Sequence, residues 1–161
     1  MPKQLPILIN PHPLLRKISD KINPEKIGRR DFQELLGDIK ETMLKKDGAG
    51  LAAPQIGQNI RLVVIHHNEK IYFLINPKIT KRSWARETEE EGCLSVLNKQ
   101  GEIIYGHVER HKKVSCTYLD EQGKTKKISA DKIMSRIIQH ELDHLDGILF
   151  IDKLVKDKRV K

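Results

Sequence analysis

QHELDHLDG, residues 139–147, is the stretch from which the rest of the chain is read. His140 and His144 stand four residues apart, so on a helix their imidazoles lie one turn apart on one face and can grip a single ion. Glu141 lies just off that stripe, where its carboxylate can reach a water in the ion's open coordination position. The periodicity predicts a helix over about Asp131–Asp146, with Ser129 as a candidate cap and Gly147 where a left-handed C-terminal cap belongs. Ile133 and Ile137 share the histidine stripe and can either wall an apolar pocket or pack into the core. The competing reading is a helix with two incidental histidines, and the helical setting that the motif requires argues against it.

A hydrolytic metal site needs a third protein ligand. No glutamate follows Glu141, and Phe150 stands where a metzincin would place a histidine, so the third ligand must come from upstream. Cys93, Cys116, His66, His67, His107 and His111 are the candidates besides ordinary carboxylates. Cys93 is favoured, because Gly92 beside it permits close backbone approach and a nearby cation holds the sulfur as thiolate. Cys116, between Ser115 and Thr117 in a strand-like run, reads as a small buried side chain. The four histidines sit among charged residues at turns or strand ends and read as solvated imidazoles.

Farther upstream, Asp31 can cap a second helix whose apolar residues Phe32, Leu35, Leu36, Ile39 and Met43 share a face, with Glu34 three residues after the cap. KKDGAG ends it, and GLAAPQIGQ (50–58) is too irregular for either period, reading as a loop or edge strand. Strand-like runs follow at Leu62–Ile65, Ile71–Ile75, Glu102–Tyr105 and Val114–Leu119, separated by the turn signals HHNEK, NPK and DEQGK. The expected architecture is a single α+β domain spanning 1–161: mixed, mostly antiparallel sheets packed around a C-terminal metal-binding helix, with an amphipathic helix near the N-terminus.

A chain of 161 residues can bury its core without disulfides, so the two cysteines are read as reduced and the protein as cytoplasmic. No run approaches the ~20 apolar residues of a membrane span, and the opening apolar run is too short for a signal peptide. The net charge of +8 fits a polyanionic neighbour such as the ribosome, with basic density at residues 110–113, at 124–127 and over Lys153, Lys156, Lys158, Arg159 and Lys161. Few aromatics are interleaved, which argues against sequence-specific nucleic-acid reading.

Three motifs in this order, GAGLAAPQ at Gly48–Gln55, EGCLS at Glu91–Ser95 and QHELDHLDG at Gln139–Gly147, resemble the peptide deformylase family. ILINPHPLLRKIS near the start and ILFIDKL near the end extend the resemblance over nearly the whole chain. It implies removal of the formyl group from the N-terminal formyl-methionine of nascent chains by one divalent metal, with Fe2+ expected and Zn2+, Ni2+ or Co2+ compatible with the donors. Carried over by motif, Cys93, His140 and His144 bind the metal, Glu141 is the general acid/base, and Gln55 with the Leu94 backbone N–H stabilises the oxyanion. Gly50 receives the substrate backbone; Gly48 leaves room for an extended peptide, and Ala49, Ile133 and Ile137 border the methionine pocket.

The chain departs from the family pattern after EGCLSV, where Leu97 replaces the usual proline and the segment Asn98–Val108 is longer than expected. No residue between Leu97 and His107 is therefore assigned to the site, and a longer rim is expected to alter peptide preference. Two rivals stay open at this point: another Cys-His-His metalloamidase or peptidase, and a non-enzymatic ribosome-binding protein with a structural metal.

Overall fold

The computed structural model describes residues 1–156; Lys158, Arg159, Lys161 and the end of the expected 1–161 unit lie outside the described residues. In chain order the main elements are α1 (Arg30–Lys45), β1 (Gly50–Ala52), β2 (Leu62–His67), β3 (Lys70–Arg82), β4 (Arg86–Leu97), β5 (Ile103–His111), β6 (Lys113–Leu119), β7 (Thr125–Asp131) and α2 (Lys132–Leu145). Five strands form an antiparallel sheet in the order β1-β2-β3-β6-β7, while β4 and β5 form a separate two-stranded antiparallel sheet.

Strand β2 organises the core because its side chains alternate between the two sheet faces. Leu62 and Val64 join Phe32, Leu36, Ile39 and Met43 of α1 on one face. Val63 and Ile65 join Met134, Ile138, Leu142 and Leu145 of α2 on the other. The amphipathic stripe of each helix thus covers one face of the same sheet, and α2 is held with its histidines at the end of β4. No helix among the described residues is long and apolar enough to cross a membrane.

Helix boundaries differ from expectation at both N-termini. The N-cap of α1 is Arg29 and not Asp31, which sits in the first turn, where its negative charge favours the helix dipole. The N-cap of α2 is Asp131; Ser129 belongs to β7, its hydroxyl 3.3 Å from that of Ser115 across the ladder. Gly147 does adopt a left-handed φ of 72°, and a Cβ there would come within 2.5 Å of the Arg16 carbonyl oxygen.

The strands also differ from the sequence reading. HHNEK is a two-residue hairpin turn with Asn68 and Glu69 both at positive φ, as expected, but NPK is not a turn. β3 runs through it with a register shift between Ile75 and Lys78, and the Asn76 side chain bonds the backbone of Ile22 through both its oxygen and its nitrogen at 2.8 Å. GLAAPQ divides into β1 at the sheet edge and a 3-10 turn, Ala53–Ile56. Strand β4, rich in glutamate, was not anticipated from composition; its pairing with β5 forms it.

Candidate metal centre

Cys93 reaches α2 because β4 leaves its register with β5 between Gly92 and Leu97. In that irregular stretch the N-terminal segment takes over: Asn10 N–H donates to Ser95 O at 2.8 Å, and Leu8 N–H donates to Gln55 O at 2.7 Å. One short segment therefore ties the Gln55 turn to the Cys93 strand.

Ligand atoms of Cys93, His140 and His144 all lie within 4.8 Å of one another, and among the described residues no further His, Cys, Asp or Glu joins that group. The Cys93 Sγ to His144 Nε2 distance is 3.4 Å. Bonds of about 2.0–2.3 Å to one tetrahedral ion would give an edge of about 3.3–3.8 Å, so the spacing fits a shared ion. A sulfur with two imidazoles suits a borderline-soft divalent metal, and three protein ligands leave a position open for water or substrate.

Glu91 orients His140, which donates from Nδ1 to Glu91 Oε1 at 2.8 Å and so keeps Nε2 for the ion. Arg110 holds the same carboxylate with two bonds of 2.9 Å, and Arg136 adds one of 2.7 Å. Burial would raise the Glu91 pKa, but hydrogen bonds from His140 and Arg110, with their charges, outweigh it and hold the carboxyl far below its usual range. At His140, burial favours the neutral ring but is outweighed by hydrogen bonds to Cys93 and Glu91, so the group is pushed up to about 10. An environment that favours a proton there favours any cation. His144 is held well below its usual value, first by burial and then by His140 and Arg110, which keeps its imidazole in the neutral form that binds metal.

Glu141 is buried with one carboxylate oxygen, Oε2, lacking any protein hydrogen bond. Burial pushes its carboxyl up to about 7; the Glu91 charge adds to the rise, while those of His140 and Arg110 oppose it. A carboxyl poised near neutrality that lines the cleft and keeps one buried oxygen unpartnered has the properties of a general acid/base.

The cleft beside these groups encloses about 290 Å³. Gly48, Ala49, Gly50, Gln55 and Leu94 line one part of it, and Ile133 and Ile137 another. At Gly50 a Cβ would lie 2.5 Å from Glu141 Oε1, so this position must be glycine for the carboxylate to stay where it is. Gln55 is no mobile surface amide: it is buried, accepts from Ala52 N–H at 2.9 Å and donates to Ser95 Oγ at 3.0 Å, with Nε2 3.6 Å from Cys93 Sγ. Ile133 is 65% exposed at the cleft mouth and takes no part in the core, whereas Ile137 both packs against the α2 cluster and lines the cleft.

The remaining ligand candidates lie elsewhere. Cys116 is fully buried in the core, and burial pushes its thiol up to about 11. His66 and His67 end β2, His107 is exposed on β5, and His111 Nδ1 meets the Ser83 carbonyl oxygen at 2.7 Å. The residues that the sequence reading missed are Glu91, Arg110 and Arg136. Glu91 could have been found from strand periodicity, since it stands two residues before Cys93 and therefore faces the same side.

Residues 4–160 match the model of the polypeptide deformylase family. The chain belongs to that family. A peptide deformylase of Clostridium acetobutylicum is 46% identical over 145 residues, which cover 90% of this chain and 91% of the relative. Among solved structures, a peptide deformylase from Synechococcus elongatus in complex with actinonin has a TM-score of 0.87 at 36% identity, covering 94% of this chain and 79% of that one. A class I type b peptide deformylase from Acinetobacter baumannii bound to Met-Ala-Ser has a TM-score of 0.88 at 29% identity, covering 96% of this chain and all of that one. The deformylases share the two helices and antiparallel sheets described above, and their activity is deformylation of nascent chains; this member is a hydrolase of that kind.

Proposed function

We propose that this deformylase hydrolyses the formamide of N-formyl-methionyl peptides in the cleft between Gly50 and α2, holding one divalent ion with Cys93, His140 and His144. The observation that carries this reading is the pairing of three gathered donors, with no fourth among the described residues, with the unpartnered oxygen of buried Glu141. A structural metal site would be closed by a fourth ligand and would have no use for such a carboxyl.

When bound, a divalent ion lowers the pKa of water and polarises a carbonyl oxygen. Glu141 takes the proton from the attacking water as the new C–O bond forms, then delivers a proton to the amine as the C–N bond breaks, leaving formate and a free methionyl N-terminus. Gln55 Nε2 and the Leu94 N–H donate to the oxygen on which negative charge develops. Gln55 is fixed for this by its bonds to Ala52 and Ser95. Gly48 and Gly50 let the peptide backbone lie along the β1 edge, and Ala49, Ile133 and Ile137 border the methionine side chain.

Membership of the family favours Fe2+ as the working metal, and the donor set tolerates Zn2+, Ni2+ or Co2+ as substitutes. The catalytic unit extends over residues 1–161 and works in the cytoplasm, and its basic surface, including Lys153 and Lys156, brings it to the ribosome. The deciding experiment is anaerobic reconstitution with each metal, followed by formate release from formyl-Met and acetyl-Met peptides. Formate release that needs the metal and spares the acetyl peptide is expected; equal hydrolysis of both would make the protein a general amidase.

A further inference from the structure

The cleft has one wall that the five-stranded sheet does not carry, the β4–β5 pair, and Arg136 of α2 reaches both of its strands. Arg136 Nη1 donates to Val108 O on β5 at 2.9 Å, and Nη2 donates to Glu87 O on β4 at 2.9 Å. Its side chain is only 11% exposed, although arginine normally keeps its head in water. Nη1 also reaches Glu91, but that carboxylate already has two bonds from Arg110. Ser135 and Gln139 of α2 also hold β5, through the His111 carbonyl at 3.0 and 2.9 Å, and Arg136 adds one side chain that ties backbone carbonyls of both strands to α2.

On the cleft side of the same strands stand Ile103 and Tyr105. A Cβ at Gly92 would lie 2.7 Å from the Tyr105 ring, so the bare glycine next to Cys93 lets that ring lie over β4. Tyr105 is 63% exposed and lines the cleft, as does Ile133, also largely exposed. Two large side chains left uncovered at the mouth of a cleft mark a surface that a ligand covers.

We infer that Arg136 is a positioning residue for substrate: it sets the β4–β5 wall so that Tyr105 lies against the peptide residues that follow formyl-methionine. The inference rests on the deformylase reading and adds a determinant within the long segment after Leu97. The test compares a substrate too short to reach Tyr105, formyl-Met amide, with one that does, formyl-Met-Leu-Leu, on the metal-loaded enzyme.

Arg136→Met is expected to raise KM for the tripeptide on the order of tenfold more than KM for the amide, a loss on the scale of one hydrogen bond. Tyr105→Ala, at an exposed position that does not endanger folding, is expected to show the same dependence on substrate length. Arg136→Lys, which can keep one carbonyl bond, is expected to recover part of the difference. Equal losses on both substrates for Arg136→Met, or an unchanged tripeptide KM for Tyr105→Ala, would overturn the inference while leaving deformylation intact. If Arg136→Met does not fold, Tyr105→Ala and Arg136→Lys decide. Absence of formate release by the unaltered protein would bring down the reading and the inference together.

Discussion

Glu91 Oε1 accepts from His140 Nδ1 at 2.8 Å, so a carboxylate two residues before one candidate ligand fixes the ring of another. Because Arg110 and Arg136 neutralise it from the far side, Glu91→Gln exchanges a held anion for a weaker acceptor. Partners of this kind typically carry ~10–100-fold in metal affinity. Competitive chelator titration should show a loss in that range, and unchanged affinity would leave Glu91 a purely structural ion pair.

Glu141→Gln keeps the shape of the side chain and removes its proton traffic. Metal content should hold while kcat falls by ~10²–10⁴ or more, since one carboxylate serves both water and amine. Near-normal turnover would take Glu141 out of the mechanism.

The same variant should lose a fall in stability with rising pH that the parent shows. The Glu141 carboxyl is raised from 4.5 to about 7 in the folded protein, so its contribution to stability is present below about 4.5 and is lost as pH rises to about 7. Above that pH the metal-free Glu141→Gln protein should therefore melt a few degrees higher than the parent, at about 2–4 °C per kcal/mol for a chain of this size. For activity the sign is opposite: the carboxylate is the base, so kcat/KM should decline as pH falls through the carboxyl's pKa. A parent protein with flat stability between pH 5 and 8 would contradict the assigned burial effect.

Gly50→Ala places a methyl 2.5 Å from Glu141 Oε1, and the carboxylate must move. A displacement of about 1 Å at reacting groups can cost ~10²-fold in rate, so kcat/KM should fall by about that much with little change in circular dichroism. Full activity would mean that the carboxylate has slack that the packing does not suggest.

Cys93→Ser and Cys116→Ser form a matched pair, since both cysteines are buried and free. Exchanging the soft sulfur at 93 should lower or alter metal binding, whereas the change at 116, in the core, should lower Tm and leave metal stoichiometry alone. Inductively coupled plasma analysis with a thermal melt separates the two.

Both helices and the placing of His140 and His144 on one face were legible in the sequence, because a 3.6-residue period fixes which side chains share a face, whereas Cys93 was reached by the want of a downstream ligand and by its EGCLS motif. Strand β4 was not, since Glu87, Glu89 and Glu90 have no strand preference of their own and become extended only by pairing with Arg110, Val108 and His107. With β4 unread, the shared face of Glu91 and Cys93 was hidden, and so were the arginines that converge on it. The bulge at Asn76 looked like a turn because a turn and a bulge both use a residue at positive φ.

The last described residues close the hairpin from outside. Leu154 bridges to Val108, Val155 N–H donates to His107 O at 2.9 Å, and the Leu154 side chain fills the space where Gly106 has no Cβ. During synthesis this means that the parts emerge in a fixed sequence: Gly50 and Gln55, then Cys93, then both histidines together on one helix, and the latch at Leu154 after them. The wall of the cleft is thus fastened by residues that follow both histidines in the chain, and clipping the chain before Leu154 should loosen that wall while leaving Cys93, His140 and His144 gathered.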